Sequence, residues 1–361
     1  MSILNVVAIK SGLKVHFFSL LRSIYTLSIT FVEMNIFLTY DYELFFGAAT
    51  GSVEKCMLEP TNALQKIADR FSIPMTFFVD IGYLIKLEEF APTNPTLQKD
   101  LDNVKAQLHE LQAKGHSLQI HIHPHWEKSI FEDGKWKIET KNAYKLADFS
   151  DDEIERIVRS YTAYLNQLTG KKAQVFRAGG WCIQPFNRLE KVFKELEIRI
   201  DSSVFSGGHF EAGEYSFDFR TAPKKSNYRF SNDVCIEDES GYFTEYPISS
   251  HVYSPLFYWR LYGLGRLFPA QHKMIGDGTF LAQPGRKKSV LTSFTHNHVS
   301  CDGYYASKLM TCLNKHQSAN ATDFVVIGHP KGLTQFSLKA LERFVARNYT
   351  KHTFKALTEE L

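Results

Sequence analysis

The sequence predicts an α/β fold in which parallel strands and crossover helices curl into a barrel-like sheet. Three observations carry that expectation. Short apolar runs alternate with amphipathic stretches from Met34 onward, the pattern of repeated strand–helix–strand units. Seven strand candidates occur, which favours one barrel over two separate domains. Clusters of His, Asp, Glu and Arg stand at the carboxyl ends of those strands, where such folds keep their functional groups. The 361 residues, 44% hydrophobic and 22% charged, suffice for a large core and exclude a disordered chain. With 42 Lys and Arg against 39 Asp and Glu, the formal charge is +3. That is too balanced for a chain devoted to nucleic acid or an anionic membrane, although local basic patches remain open. The cysteines Cys56, Cys182, Cys235, Cys301 and Cys312 form no CxxC pair. A reducing compartment is therefore expected.

Residues 1–33 stand apart. Val15 to Val32, preceded by Lys10 and Lys14, has the basic front and apolar middle of a signal peptide or anchor. Arg22 interrupts it, hydroxyl residues dilute it, and no small-residue cleavage site follows. Met34 immediately precedes the first core strand, so the expectation is a translation start at Met34 and a working domain over 34–361. A peripheral helix and a membrane anchor are the alternatives. Localisation is expected to be cytoplasmic, with attachment peripheral to the inner face of the membrane as the alternative.

The strand candidates are Ile36–Tyr40, Met75–Val79, Ser117–Ile122, Gln174–Arg177, Ile198–Asp201, Ser289–Phe294 and Phe324–Ile327. Between them run helical stripes. Leu64, Ile67 and Phe71 follow Pro60; Leu101, Val104, Leu108 and Leu111 end at Gly115. Ile154, Ile157, Tyr161, Leu165 and Leu168 follow Ser150 or Asp151 as a cap. Residues from about 205 to 285 break the alternation with Gly, Ser and aromatics, and are expected to form an insertion before the last strands. In such a barrel an insertion sits over the active face.

The chemistry-bearing residues lie at strand ends. TYDYE places Asp41 and Glu43 two apart, so an extended backbone points both to one side. GHSLQIHIHPHW places His121, His123 and His125 after another strand. FRAGGW supplies Arg177, IRIDSSV supplies Asp201, and VVIGHPK supplies His329. Two imidazoles and a carboxylate suit a divalent ion with positions left open for water and substrate. A second carboxylate can take a proton from water, a separate His can protonate a leaving group, and a guanidinium can hold the carboxylate ionised. The set points to metal-assisted hydrolysis. His123, Asp201, His296 and His298 are expected at the site rim or against substrate, with Trp126 and Trp181 beside it as packing surfaces for a sugar ring. Lys331 reads as a solvated turn lysine, and His116 as structural.

These motifs, in this order, resemble the polysaccharide deacetylases, the NodB-type carbohydrate esterases, from Ile36 to about Leu333. TYDYE is similar to their opening aspartate motif, SIPMTFFVDIGYL to the strand that follows, and GHSLQIHIHPH to their histidine motif. FRAGGW, IDSSV, FTEYPIS and IGHP are similar to the later ones. The resemblance implies a distorted (β/α)7 barrel and removal of an N-acetyl or similar N-acyl group from a carbohydrate, cleaving a C–N amide bond. The implied cofactor is a divalent metal, most often Zn2+, and the implied partner an N-acetylated sugar, sugar nucleotide or oligosaccharide. A place in surface polysaccharide biosynthesis fits. By the same resemblance His121 and His125 are metal ligands, Asp41 the base, Arg177 its tuner and His329 the general acid. Tyr42 replaces the usual second aspartate, which leaves open whether Glu43 or Asp41 binds the metal. The two glycines after Arg177 are expected to widen the cleft. A non-catalytic carbohydrate-binding relative and an amidohydrolase-type enzyme are the alternatives; the latter carry HxH on their first strand, unlike this chain.

Overall fold

The computed structural model describes residues 33–213 and 215–361; the expected leader lies outside the described residues. The main path of the sheet is built from β1 (Asn35–Tyr42), β2 (Thr76–Asp80), β3 (Ser117–Ile122), β4 (Val175–Ala178), β5 (Ile200–Asp201), β6 (Tyr228–Phe230), β7 (Phe243–Glu245) and β10 (Asp323–Gly328), with the short strand Thr353–Phe354 paired parallel to β1 off that path. Its order is β6-β7-β5-β4-β3-β2-β1-β10. All neighbours are parallel except β6 and β7. β1, β2 and β10 are buried along almost their whole length, as parallel strands covered on both faces must be.

The two flanks of this curled sheet are joined through residues 246–249. Ile248 N donates to Val204 O at 2.8 Å and Ser249 N to Val325 O at 2.9 Å. Seven parallel strands with an irregular seam make the distorted barrel. Its helices include α1 (Glu59–Phe71), α2 (Ile81–Phe90), α3 (Pro95–Ala113), α4 (Asp151–Thr169) and α5 (Glu190–Leu196). α3 begins where the Asn94 side chain accepts from Thr96 N and Leu97 N. α4 begins on a Ser150–Glu153 capping box and ends on Gly170 at φ 64°, the two terminus signals expected of a well-defined helix.

One strand expectation is corrected. Ser289–Phe294 is not a strand: Arg286–Thr292 is helix α7, packed beside α6 (Pro255–Leu267) in a small apolar cluster of Tyr253, Phe257, Tyr258 and Val290. The strand there is the polar β9 (Thr295–His298), which among the described residues pairs only with β8 (Ser250–Tyr253). The sixth barrel strand is β7, too short for an alternation to show. α8 (Leu309–Ser318) and α9 (Gln335–Asn348) complete the outer layer. Among the described residues no helix is long and apolar enough to cross a membrane.

Candidate functional site

The carboxyl ends of β1, β3, β4 and β10 meet beneath a cavity of about 790 Å3. Asp41 and Glu43 leave β1 on the same side, as their spacing requires, and both are buried. Each carboxylate has its own cation. Arg177, fully buried at the end of β4, donates from Nη1 to Asp41 Oδ1 at 2.8 Å. Its other nitrogens donate to Thr39 Oγ1, Ser202 Oγ and Ser202 O, and its plane covers the Phe78 ring. Burial opposes ionisation of Asp41, but Arg177, with His121 and His329, holds its carboxyl well below the usual range. Lys331 Nζ lies 2.8 Å from Glu43 Oε1. Burial likewise opposes the Glu43 charge, but Lys331 together with His123 and His121 outweighs it and holds the carboxyl well below its usual range. The expectation of a solvated Lys331 is thus overturned; the side chain is buried, over the Phe45 and Phe46 rings.

The histidines divide at Pro124. His121 and His123 alternate along extended backbone, so both rings reach the Glu43 carboxylate: Nε2 to Oε2 is 3.2 Å for His121 and 2.6 Å for His123. Pro124 then opens a tight turn over Pro124–Glu127, which carries His125 past the strand end. Both His125 ring nitrogens are buried without a hydrogen-bond partner, among Phe46, Trp126 and Tyr144. The structure therefore gathers Glu43, His121 and His123, whose ligand atoms lie within 4.8 Å of one another. His125 is not in that group, contrary to the ligand pair implied by resemblance.

This donor set fits a divalent cation. His121 Nδ1 donates to Arg177 O at 2.8 Å, which leaves the Nε2 lone pair facing the centre. His123 Nε2 stands 3.1 Å from His121 Nε2, and burial depresses the His123 pKa to about 4 despite Glu43. Burial opposes the charged form of His121, but Asp41 and Glu43 outweigh it and raise its pKa. Two imidazoles and a carboxylate converging on one point are the ligand types zinc takes.

His329 follows β10. Its Nδ1 donates to Asp302 Oδ2 at 2.7 Å and its backbone N to Asp302 Oδ1 at 2.8 Å, so Nε2 is aimed at Asp41 Oδ2, 3.5 Å away. Burial disfavours the imidazolium, but Asp302 and Asp41 outweigh it and raise the His329 pKa to about 10.

The remaining candidates separate into rim and support. Trp181, His296 and His298 line the cavity. Trp181 adopts φ 62°, a region unusual for a bulky residue, and its ring packs against His298. Trp126 is corrected to a core residue: it is fully buried and its indole donates to Asp80 Oδ2 at 2.7 Å. Asp201 is also no rim residue; its Oδ1 accepts from Ser203 Oγ at 2.7 Å, beneath β4. The glycines after Arg177 do not widen the cleft. A Cβ on Gly179 would stand 2.6 Å from His123 Nδ1 and from Ile122 O, and one on Gly180 2.6 Å from the Tyr144 hydroxyl. They let β4 close tightly on the histidines. Asp302, Lys331, Thr39 and Ser202 were not legible as site residues; only Asp302, in VSCDG beside a strand end, gave a local hint.

The insertion lines the cavity with His209, Tyr215, Phe217, Tyr258, Leu261 and Tyr262.

No family model and no curated protein matches the chain. Among solved structures it is similar to one described as a polysaccharide deacetylase from Mycobacterium smegmatis, at 15% identity and TM-score 0.51, covering 92% of this chain and 90% of that one. It is also similar to PuuE allantoinase, at 12% identity and TM-score 0.48, with the same two coverages of 92% and 90%. The first likeness shows the fold.

Proposed function

On this polysaccharide-deacetylase fold, we propose that the chain is a metal-dependent hydrolase that removes an N-acetyl or similar N-acyl group from a carbohydrate. The observation that carries the reading is the convergence, under one cavity, of three parts: Glu43 with His121 and His123, Asp41 with Arg177, and His329 with Asp302. Glu43, His121 and His123 would hold the divalent ion, with zinc the natural choice for that set. Such an ion supplies Lewis acidity toward an amide carbonyl.

The chain's own groups do the proton work. Asp41, kept ionised by Arg177, accepts the proton of the attacking water. His329, oriented through Nδ1 by Asp302, delivers a proton from Nε2 to the departing amine. Lys331 occupies one oxygen of Glu43 and leaves the other for the ion, an orienting contact behind the ligand. Backbone N–H groups near Gly180 and Phe205, both lining the cavity, would meet the developing oxyanion. Trp181 and His298 offer flat faces to a sugar ring.

The test is release of acetate from N-acetylated oligosaccharides and sugar nucleotides by protein loaded with zinc, cobalt or nickel, and by chelated protein. Release that requires metal is expected. A protein that binds zinc with high affinity yet releases no acyl group from any of them overturns the hydrolase reading; one that binds no divalent ion overturns the metal site.

A further inference from the structure

The lobe over residues 255–294 has a surface composition unlike the rest of the chain. It carries Arg260, Arg266, Lys273, Arg286, Lys287 and Lys288 against Asp277 alone, while the whole chain has a formal charge of only +3. Asp277 is itself engaged, accepting from Ser52 N and Ser52 Oγ at 2.7 and 2.8 Å. Among the described residues none of the six cations forms an ion pair with a carboxylate; the aromatic faces of Phe210 and Tyr262 sit beside Arg286 and Lys287 instead.

The same lobe exposes large apolar side chains. Leu256 and Trp259 are 59% exposed, Leu267 74%, Phe268 55% and Phe294 72%. On α6 the exposed positions Leu256, Trp259, Arg260, Arg266 and Leu267 recur at helical spacing and form one stripe, while Phe257 and Tyr258 face the small apolar cluster behind. The stripe is continuous with α7: the Trp259 indole donates to Leu291 O at 3.2 Å. Phe294 follows that helix directly. An interfacial helix has this make-up, with Trp, Leu and Phe to enter the headgroup region and Arg and Lys to meet anionic lipid.

We propose that this lobe docks the protein on an anionic lipid bilayer. Charge decides for that occupant over a second copy of the chain, because two such faces would set the exposed Arg260, Arg266, Lys287 and Lys288 against their own copies. Arg266 and Lys287 also line the cavity, so docking sets the cavity mouth at the headgroup level. The inference stands on the surface alone and does not need the hydrolase reading.

The experiment is co-sedimentation of the full chain with vesicles of phosphatidylcholine alone and of phosphatidylcholine mixed with phosphatidylglycerol. Wild type is expected to partition onto the anionic vesicles, less as salt rises. The double variants Trp259→Ser/Phe268→Ser and Lys287→Glu/Lys288→Glu are expected to bind at least about tenfold more weakly. Their circular dichroism and zinc binding should match wild type, which removes misfolding as the cause. Failure of wild type to bind the anionic vesicles, or variants that bind as wild type does, overturns the proposal. So does sedimentation velocity showing a dimer that both pairs of substitutions dissolve.

Discussion

The two ends of the parallel sheet are made from the same strands and do opposite work. At the amino ends, polar side chains close the backbone, most of them uncharged, with the Asp323 carboxylate held by the Asn35 and Asn227 amides. Asn35 Nδ2 donates to Asp323 Oδ1 at 2.9 Å, Thr76 Oγ1 accepts from Leu357 N at 3.0 Å, and Gln119 Oε1 accepts from Gln174 N and Val175 N. At the carboxyl ends, Asp41, Glu43, Arg177 and Lys331 are charged and almost fully buried, against a large desolvation cost. Such a concentration of ions is poor stabilising material. It is retained at the end where barrels keep chemistry, and the mostly uncharged seals stand at the end that serves stability.

The largest break in that contrast comes from the histidines. His121→Ala or His123→Ala is expected to abolish zinc retention, measured by elemental analysis after dialysis, and to cut acyl release roughly 10³-fold or more. His125→Ala is expected to keep the metal and instead lower stability by about 2–4 kcal/mol, since it empties a packed site among three aromatic rings. Loss of zinc in the His125 variant would return the ligand role to that residue.

Arg177→Lys comes next. A lysine keeps the charge but not the fork that joins Asp41, Thr39 and Ser202. Turnover is expected to fall about 10²-fold and unfolding free energy by about 3 kcal/mol, read by urea titration. A loss of turnover without a loss of stability would show Arg177 to be purely catalytic in its effect.

Much of this was legible in advance, and the failures have physical causes. β2 and β10 announce themselves by apolar runs buried on both faces, while β1 and β3 show as apolar runs interrupted only by single polar residues such as Thr39 and Gln119. β7 is three residues long and β9 reads THNH, so neither leaves a hydrophobic signature. The strand-end positions of Asp41, Arg177 and His329 follow from the alternation of elements. Side-chain direction beyond a strand end does not: HIHPH is symmetric in sequence, and only the turn begun by Pro124 separates His123 from His125. Lys331 was misread because its partner, Glu43, is remote in sequence, and a lysine after IGHP has no local sign of burial.

Gly179→Ala sharpens the same point with a smaller effect. The new methyl meets His123 Nδ1 and Ile122 O at 2.6 Å, and Ile122 O is backbone that cannot swing aside. The expected result is a 10–100-fold loss of zinc affinity by competition titration, with most of the stability retained. Unchanged affinity would mean that the β3–β4 contact does not hold the His123 ring.

The smallest expected effect lies at the quiet end of the sheet. His116 Nδ1 accepts from Met75 N at 3.2 Å, which requires the neutral ring. Burial lowers its pKa to about 4; Asp69 opposes that shift and Lys114 adds to it. Because the folded pKa lies below the unfolded value of 6.5, protons favour the unfolded chain. The contribution is therefore complete above about pH 6.5 and declines as pH falls toward 4. His116→Asn keeps an acceptor for the Met75 N–H but cannot take a proton. Wild type is expected to lose about 2 kcal/mol more than this variant between pH 7 and pH 4, by urea denaturation at each pH. Parallel stability curves would show that the imidazole is not held neutral, and that the amino ends of the strands tolerate charge as the carboxyl ends do.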